Sequence, residues 1–264
     1  MSTSDIASLS ILLVEPSVTQ RRIIKEQIMA MGAVEIHDAE TGDEALDVLR
    51  SVQPNLVISA MYLPDMLGTD LLARINAESS FDNTAFILIS SETSIKALEP
   101  IKQGGAISIL PKPFTIEALS YALQASVDYF VPTPVDSDTF DTQELELLVV
   151  DDSTMSRKQI KRILTNMGIT NIHEAEDGQQ AIEMIKRNFY DLVVTDYNMP
   201  NIDGQALVDF IRNKSNQSSL PVLMITSEKD QGRLKAVQQA GVSALCDKPF
   251  GPQSIRAMIE SIYA

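Results

Sequence analysis

Short, mostly apolar runs recur along the chain, and after each one the apolar positions return every three or four residues. In the C-terminal half these runs fall at 147–150, 171–175, 192–195, 222–226 and 244–247. In the N-terminal half they fall at 11–14, 35–39, 56–59, 86–89 and 107–110. Four or five residues suit a strand, and the intervening stretches suit helices. One such stretch, 157–167, carries Ile160, Ile163, Leu164 and Met167 at helical spacing, and Gly168 follows as an expected left-handed cap. Strands that are apolar on both faces and alternate with helices predict parallel sheets covered on both sides, an α/β fold.

The two halves are one unit written twice. At a constant offset of 136 residues, Leu12 falls on Leu148, Gly32 on Gly168, Pro64 on Pro200, and Lys112-Pro113-Phe114 on Lys248-Pro249-Phe250. A period this long marks a duplicated domain, because solenoid repeats run to about 20–50 residues. The expected division is a domain at 1–131, a linker at 132–144 and a domain at 145–264. The linker is assigned from Pro132, Pro134 and the carboxylates of Asp136, Asp138, Asp141 and Glu144, which stiffen and extend the path. The alternative is a helix over 118–130 that runs on and packs the domains rigidly together.

Composition narrows the function. A net charge of −15 over 264 residues leaves no broad basic surface for nucleic acid, and Arg21, Arg22, Arg157 and Lys158 read as solvated helix faces among acidic neighbours. No apolar run reaches the roughly 18 residues that a membrane-spanning helix needs, and no signal sequence opens the chain. The one cysteine, Cys246, reads as a core residue, and a lone thiol suits a reducing cytoplasm.

In open parallel sheets, ligands bind beyond the carboxyl ends of the strands. In the second half those ends deliver Asp151 and Asp152, Asp196, Thr226 and Lys248 to one edge. Two carboxylates about 5 Å apart repel by roughly 3 kcal/mol at an effective dielectric near 20, so three of them call for a compensating cation. Hard oxygen ligands favour Mg²⁺.

This set of residues resembles the receiver domain of bacterial two-component response regulators, once in each half. The resemblance implies two flavodoxin-like (βα)5 domains in tandem. It implies that Asp196, in the segment Thr195-Asp196-Tyr197-Asn198-Met199-Pro200, is the phosphoacceptor whose carboxylate attacks a phosphohistidine. Asp151 and Asp152 would then be metal ligands for Mg²⁺, joined by Asp196 and the backbone carbonyl of Asn198. Thr226 would hydrogen-bond the phosphoryl group, and Lys248, before a proline bond often cis in the family, would pair with one of its oxygens. Asn198 and Glu228 would orient an attacking water and keep the phosphoaspartate short-lived. The family's aromatic switch position is here Leu245.

The first half has lost the chemistry. Glu15 stands where Asp151 does, Pro16 for Asp152, Ala60 for Asp196 and Ser90 for Thr226, while Lys112 is kept. Ser59, on the other strand face, and Asp65, out in the following loop, are poor substitutes for the lost nucleophile. The first copy is therefore expected to be a phosphorylation-dead pseudo-receiver, kept for docking a kinase or dimerising. Met61, Tyr62, Leu63, Met66 and Leu67 are expected to form an exposed binding patch on it.

The reading is a cytoplasmic response regulator rather than a turnover enzyme. The chain stops at Ala264, at the end of the last receiver helix, so no separate output domain is expected. Its partners would be a histidine kinase or a histidine phosphotransfer protein, and a downstream protein target, with no DNA and no membrane. The alternatives are a phosphate sink for a kinase, a small-molecule phosphatase on a related fold, and a flavin or nucleotide binder. The phosphatase family's Asp-x-Asp motif after the first strand does not match the adjacent Asp151-Asp152 or Asp196 after the third strand, and no glycine-rich phosphate loop follows Val14 or Val150.

Overall fold

The computed structural model describes residues 6–134 and 141–263. The chain divides into two compact units, Met1–Phe130 and Val131–Ala264. In the first, β1 (Ser10–Val14), β2 (Glu35–Ala39), β3 (Leu56–Ala60), β4 (Ala85–Ser90) and β5 (Ser108–Pro111) alternate with α1 (Val18–Ala30), α2 (Gly42–Val52), α3 (Gly68–Ala77), α4 (Ile95–Gln103) and α5 (Ile116–Phe130). The second repeats the pattern with β6 (Glu146–Val150), α6 (Thr154–Asn166), β7 (Asn171–Ala175), α7 (Gly178–Arg187), β8 (Leu192–Asp196), α8 (Gly204–Lys214), β9 (Val222–Thr226), α9 (Gln231–Gln239), β10 (Ala244–Asp247) and α10 (Pro252–Tyr263).

Both sheets are five-stranded and wholly parallel, in the order β2-β1-β3-β4-β5 and its equivalent β7-β6-β8-β9-β10. These are two flavodoxin-like receiver folds in tandem, as the sequence led us to expect. The central strands are buried throughout because helices cover both faces, which is why they read as unbroken apolar runs. The one strand that shifts is β5, which runs one residue later than expected, with Ser90 paired to Pro111.

Local chemistry sets the helix starts beside the sheet edge. Ser153 caps α6 by accepting from Ser156 N, and Ser17 caps α1 by accepting from Gln20 N. Gly168, at φ +95, ends α6 in the left-handed region, as expected. Gly204 is required for a different reason. Its backbone N–H donates to the Tyr197 carbonyl (2.9 Å), and a Cβ there would overlap the Asp196 carbonyl oxygen.

The expected linker is only partly a spacer. Asp136 and Asp138 lie outside the described residues. On either side of them the chain is tied to the second unit: Thr133 N donates to the Asn166 carbonyl, Arg256 donates to the Thr133 and Pro134 carbonyls, and Asn171 donates to the Gln143 carbonyl. Helix α5 ends at Phe130, so the continuous helix of the alternative reading does not form.

At the opposite end of the second sheet from the site, Arg212 clamps the loops. Its guanidinium donates to the carbonyls of Gly241 (twice), Ser218 and Leu220, and burial pulls its pKa below the ordinary arginine value. Asn76 makes a one-bond version of this clamp on Gly104 in the first unit. Arg212→Ala strands partly buried carbonyls and is expected to destabilise the second unit by about 2–3 kcal/mol. The measurement is a lowered urea midpoint at unchanged m-value.

Candidate functional site

Parallel strands β6, β8, β9 and β10 all end at one edge, and each delivers a polar side chain there. Asp151 follows β6, Asp196 ends β8, Thr226 ends β9 and Lys248 follows β10. All four are buried, in contrast to Asp152, which is exposed beside them. One carboxylate oxygen from each of Asp151, Asp152 and Asp196 lies within 4.8 Å of the others. Asp151, Asp152, Asp196 and Lys248 are thus brought together, with Thr226 at the end of the neighbouring β9.

The buried cation of the site is the ammonium of Lys248. Its Nζ donates to Asp151 Oδ2 at 2.7 Å and lies 3.5 Å from Asp196 Oδ2, with both side chains fully covered. Asp151 Oδ1 accepts from Ser153 N, and Asp196 Oδ1 accepts from Tyr197 N, each at 2.8 Å. Asp196 Oδ2 has no hydrogen-bond partner although it is buried.

Charge explains the resulting electrostatics. Burial pushes the Asp196 carboxyl up to about 7; Lys248 and the Tyr197 N–H oppose the shift, and Asp151 adds to it. Asp152 is raised as well, first by burial and then by the negative charge of Asp151. Three carboxylates facing one ammonium leave excess negative charge around an orphaned oxygen, and a divalent cation that takes oxygen ligands fits that deficit.

The comparisons with known proteins agree with the geometry. The family model of the response regulator receiver domain matches residues 11–124 and 147–260. The chain belongs to this receiver family. A Chemotaxis protein CheY-3 from Vibrio cholerae is 36% identical over 121 residues, covering 46% of this chain and 93% of that protein. A Chemotaxis protein CheY from Pseudomonas aeruginosa is 38% identical over 119 residues, covering 45% of this chain and 96% of that protein. A solved structure of a probable two-component system response regulator/GGDEF domain protein aligns over 96% of this chain and 97% of its own at 23% identity, with a TM-score of 0.42. Receivers are generally two-component signalling proteins rather than turnover enzymes, and they typically bind Mg²⁺ at an acidic pocket.

The pocket of the first receiver shows how the same edge looks without the acceptor. Lys112 Nζ pairs with Glu15 Oε2 at 2.9 Å and donates to Gln20 Oε1 at 2.6 Å. Ala60 contributes no charge, so one acid balances one ammonium. Ser59 is fully buried with its hydroxyl on the Ala60 carbonyl. Asp65 accepts from the Gly42 and Asp43 N–H groups at the start of α2; those bonds outweigh its burial and hold its carboxyl below the ordinary value. Both side chains are thus committed to backbone groups rather than to the strand-end position of Ala60.

Three expectations are corrected by the packing. The apolar patch after β3 is mostly interior: Met61 is 4% exposed, and Leu63 and Met66 pack on the core. Only Tyr62 and Leu67 face solvent, and the Tyr62 hydroxyl donates to Glu92. Glu228 is committed to its own loop, accepting from the Lys229 and Asp230 N–H groups and pairing with Arg233 at 2.8 Å, so it does not stand ready to orient a water. Arg157 is not a solvated helix residue. It is 6% exposed, donates to the Asp151 carbonyl at 2.7 Å and is flanked by Glu174 and Glu176. Arg21 makes the matching bond to the Glu15 carbonyl at 2.6 Å, and an arginine six residues past the first acid in both halves was the signal available in the sequence. Cys246 sits in the core as expected, its thiol pushed up to about 11 chiefly by burial.

Because Asp196 is raised from 3.8 to about 7, the folded unit takes up a proton that the unfolded chain does not hold across that range. The associated stability is complete below the ordinary value and is lost as pH rises through about 7. In metal-free buffer Asp196→Asn is therefore expected to stabilise the second receiver by roughly 2–4 kcal/mol at pH 8, a gain that disappears by pH 4. Thermal unfolding of both proteins across that range checks the sign.

Proposed function

We propose that the second receiver accepts a phosphoryl group on Asp196 and that this modification is the protein's signal. The observation that carries the reading is the buried Asp196 Oδ2, which accepts no hydrogen bond, lies 3.5 Å from the Lys248 ammonium and sits beside two further carboxylates. The oxygen is available as a nucleophile, and its surroundings favour a positive or electrophilic partner.

The donor is a phosphohistidine on a histidine kinase or a histidine phosphotransfer protein. Asp196 Oδ2 attacks the phosphorus; a P–O bond forms, the P–N bond breaks, and its electron pair returns to the imidazole nitrogen. Asp151, Asp152 and Asp196, with the Asn198 carbonyl, would hold Mg²⁺, which when bound neutralises charge on the transferring group. Lys248, freed from part of its pairing with Asp196, takes a phosphoryl oxygen. The Thr226 hydroxyl, which now accepts from Glu228 N at 3.0 Å, hydrogen-bonds another and draws the β9–α9 loop inward. That loop movement redirects Glu228 and Arg233, which pair with each other, and Lys229, which pairs with Asp247 on β10. Output then follows through contact with a downstream protein, and no substrate is turned over.

The first receiver is a pseudo-receiver in this reading. Its acid and ammonium are already balanced, so it needs no cation, and it serves to dock the kinase or to dimerise. The chain works in the cytoplasm, where its donors reside; among the described residues no helix is long and apolar enough to cross a membrane.

Intact-mass spectrometry after incubation with Mg²⁺ and acetyl phosphate tests the assignment. One phosphoryl group is expected on the wild type and none on Asp196→Asn. Two groups would restore chemistry to the first receiver, and none on the wild type with any donor would reduce the second to a scaffold.

A further inference from the structure

The site contains a polar side chain that the phosphoacceptor reading does not use. Ser156, on the first turn of α6, is 1% exposed, and its Oγ lies 3.4 Å from Lys248 Nζ. An ammonium is a donor only, so the hydroxyl oxygen is the accepting partner. The separation is long for a hydrogen bond, as contacts at such sites often are before the reacting groups arrive.

The equivalent position in the first unit addresses its lysine too. Gln20, on the first turn of α1, accepts from Lys112 at 2.6 Å. In both units, then, the residue five places beyond the first acid reaches the conserved lysine from the helix side. With a short side chain the ammonium stays deep, fully covered and shared between Asp151 and Asp196; with a long one it sits beside Gln20 and Glu15 and is partly exposed.

The geometry points to Ser156 as a positioning residue for Lys248. Its hydroxyl holds the ammonium on the α6 side, beside Asp151 at 2.7 Å, so that the lysine neither closes the remaining 3.5 Å onto Asp196 nor leaves the pocket. Two consequences follow from charge alone. A lysine held back from Asp196 competes less with a cation for the same oxygens, and it is already placed to meet a phosphoryl oxygen. The second consequence rests on the phosphoacceptor reading, whereas the first does not.

Ser156→Thr and Ser156→Val test this with one shape and two chemistries, since only threonine keeps the hydroxyl. On the full chain, Mg²⁺ affinity is read by isothermal titration calorimetry, the phosphorylation rate by intact mass with acetyl phosphate, and folding by the thermal midpoint without metal. The valine protein is expected to lose about tenfold in Mg²⁺ affinity and in phosphorylation rate, the scale of one hydrogen bond to a charged group. The threonine protein is expected to keep both, with equal thermal midpoints for the pair. Thr and Val proteins that lose equally, or that both behave as wild type, overturn the role of the hydroxyl. A wild type that takes no phosphoryl group defeats the phosphoacceptor reading instead, and the Mg²⁺ titrations of the pair still decide the case of Ser156.

Discussion

Two buried carboxylates and one buried ammonium, with the exposed Asp152 beside them, share one edge of the second sheet, and the rest of that unit is arranged around keeping them there. Like charges withdrawn from water repel strongly, and the same burial that brings them close also penalises each charge. The raised Asp196 carboxyl, with one oxygen that accepts no hydrogen bond, expresses that cost directly. Lys248 offsets part of it, and the neighbouring backbone does the rest: Ser153 N and Tyr197 N each hold one carboxylate oxygen, and Arg157 grips the Asp151 carbonyl. A site built this way carries excess negative charge at one sheet edge.

The first unit shows what happens when the conflict is removed. With Ala60 and Pro16 in place of acids, Glu15 and Lys112 satisfy each other and Gln20 takes a further ammonium proton. The serine cap and the arginine on the first acid's carbonyl are both still present. These features therefore belong to the scaffold rather than to the chemistry. The loop after β3 has become a structural tie: Asp65 holds the start of α2, and Tyr62 reaches across to Glu92.

Much of this was legible in the chain. Parallel strands covered on both faces must be apolar throughout, so 192–195 and 222–226 announced themselves, and the residue after each apolar run had to emerge at the binding edge. The duplication at a fixed offset made the losses at Glu15, Pro16 and Ala60 readable position by position. The alternation of parallel strands with covering helices, and the residues emerging at the strand ends, follow from period and order; the strand order and the residues' roles came from the resemblance to receivers.

What periodicity does not encode is which neighbour covers a polar group. Arg157 and Arg21 look alike in the chain as basic residues on a helix, yet their guanidinium groups turn inward to a backbone carbonyl because the sheet edge supplies an acceptor there. Met61 and Met66 look like a surface patch, yet the Tyr62–Leu67 bridge folds them onto the core. Glu228 looks available until Arg233, five residues on, closes a turn of helix over it. Sequence determined which chemistry could be assembled at the edge; only tertiary contact decided which of those groups stay free to perform it, because a charge or a hydrogen-bonding atom pairs with whatever the fold brings within about 3 Å, whatever its distance along the chain.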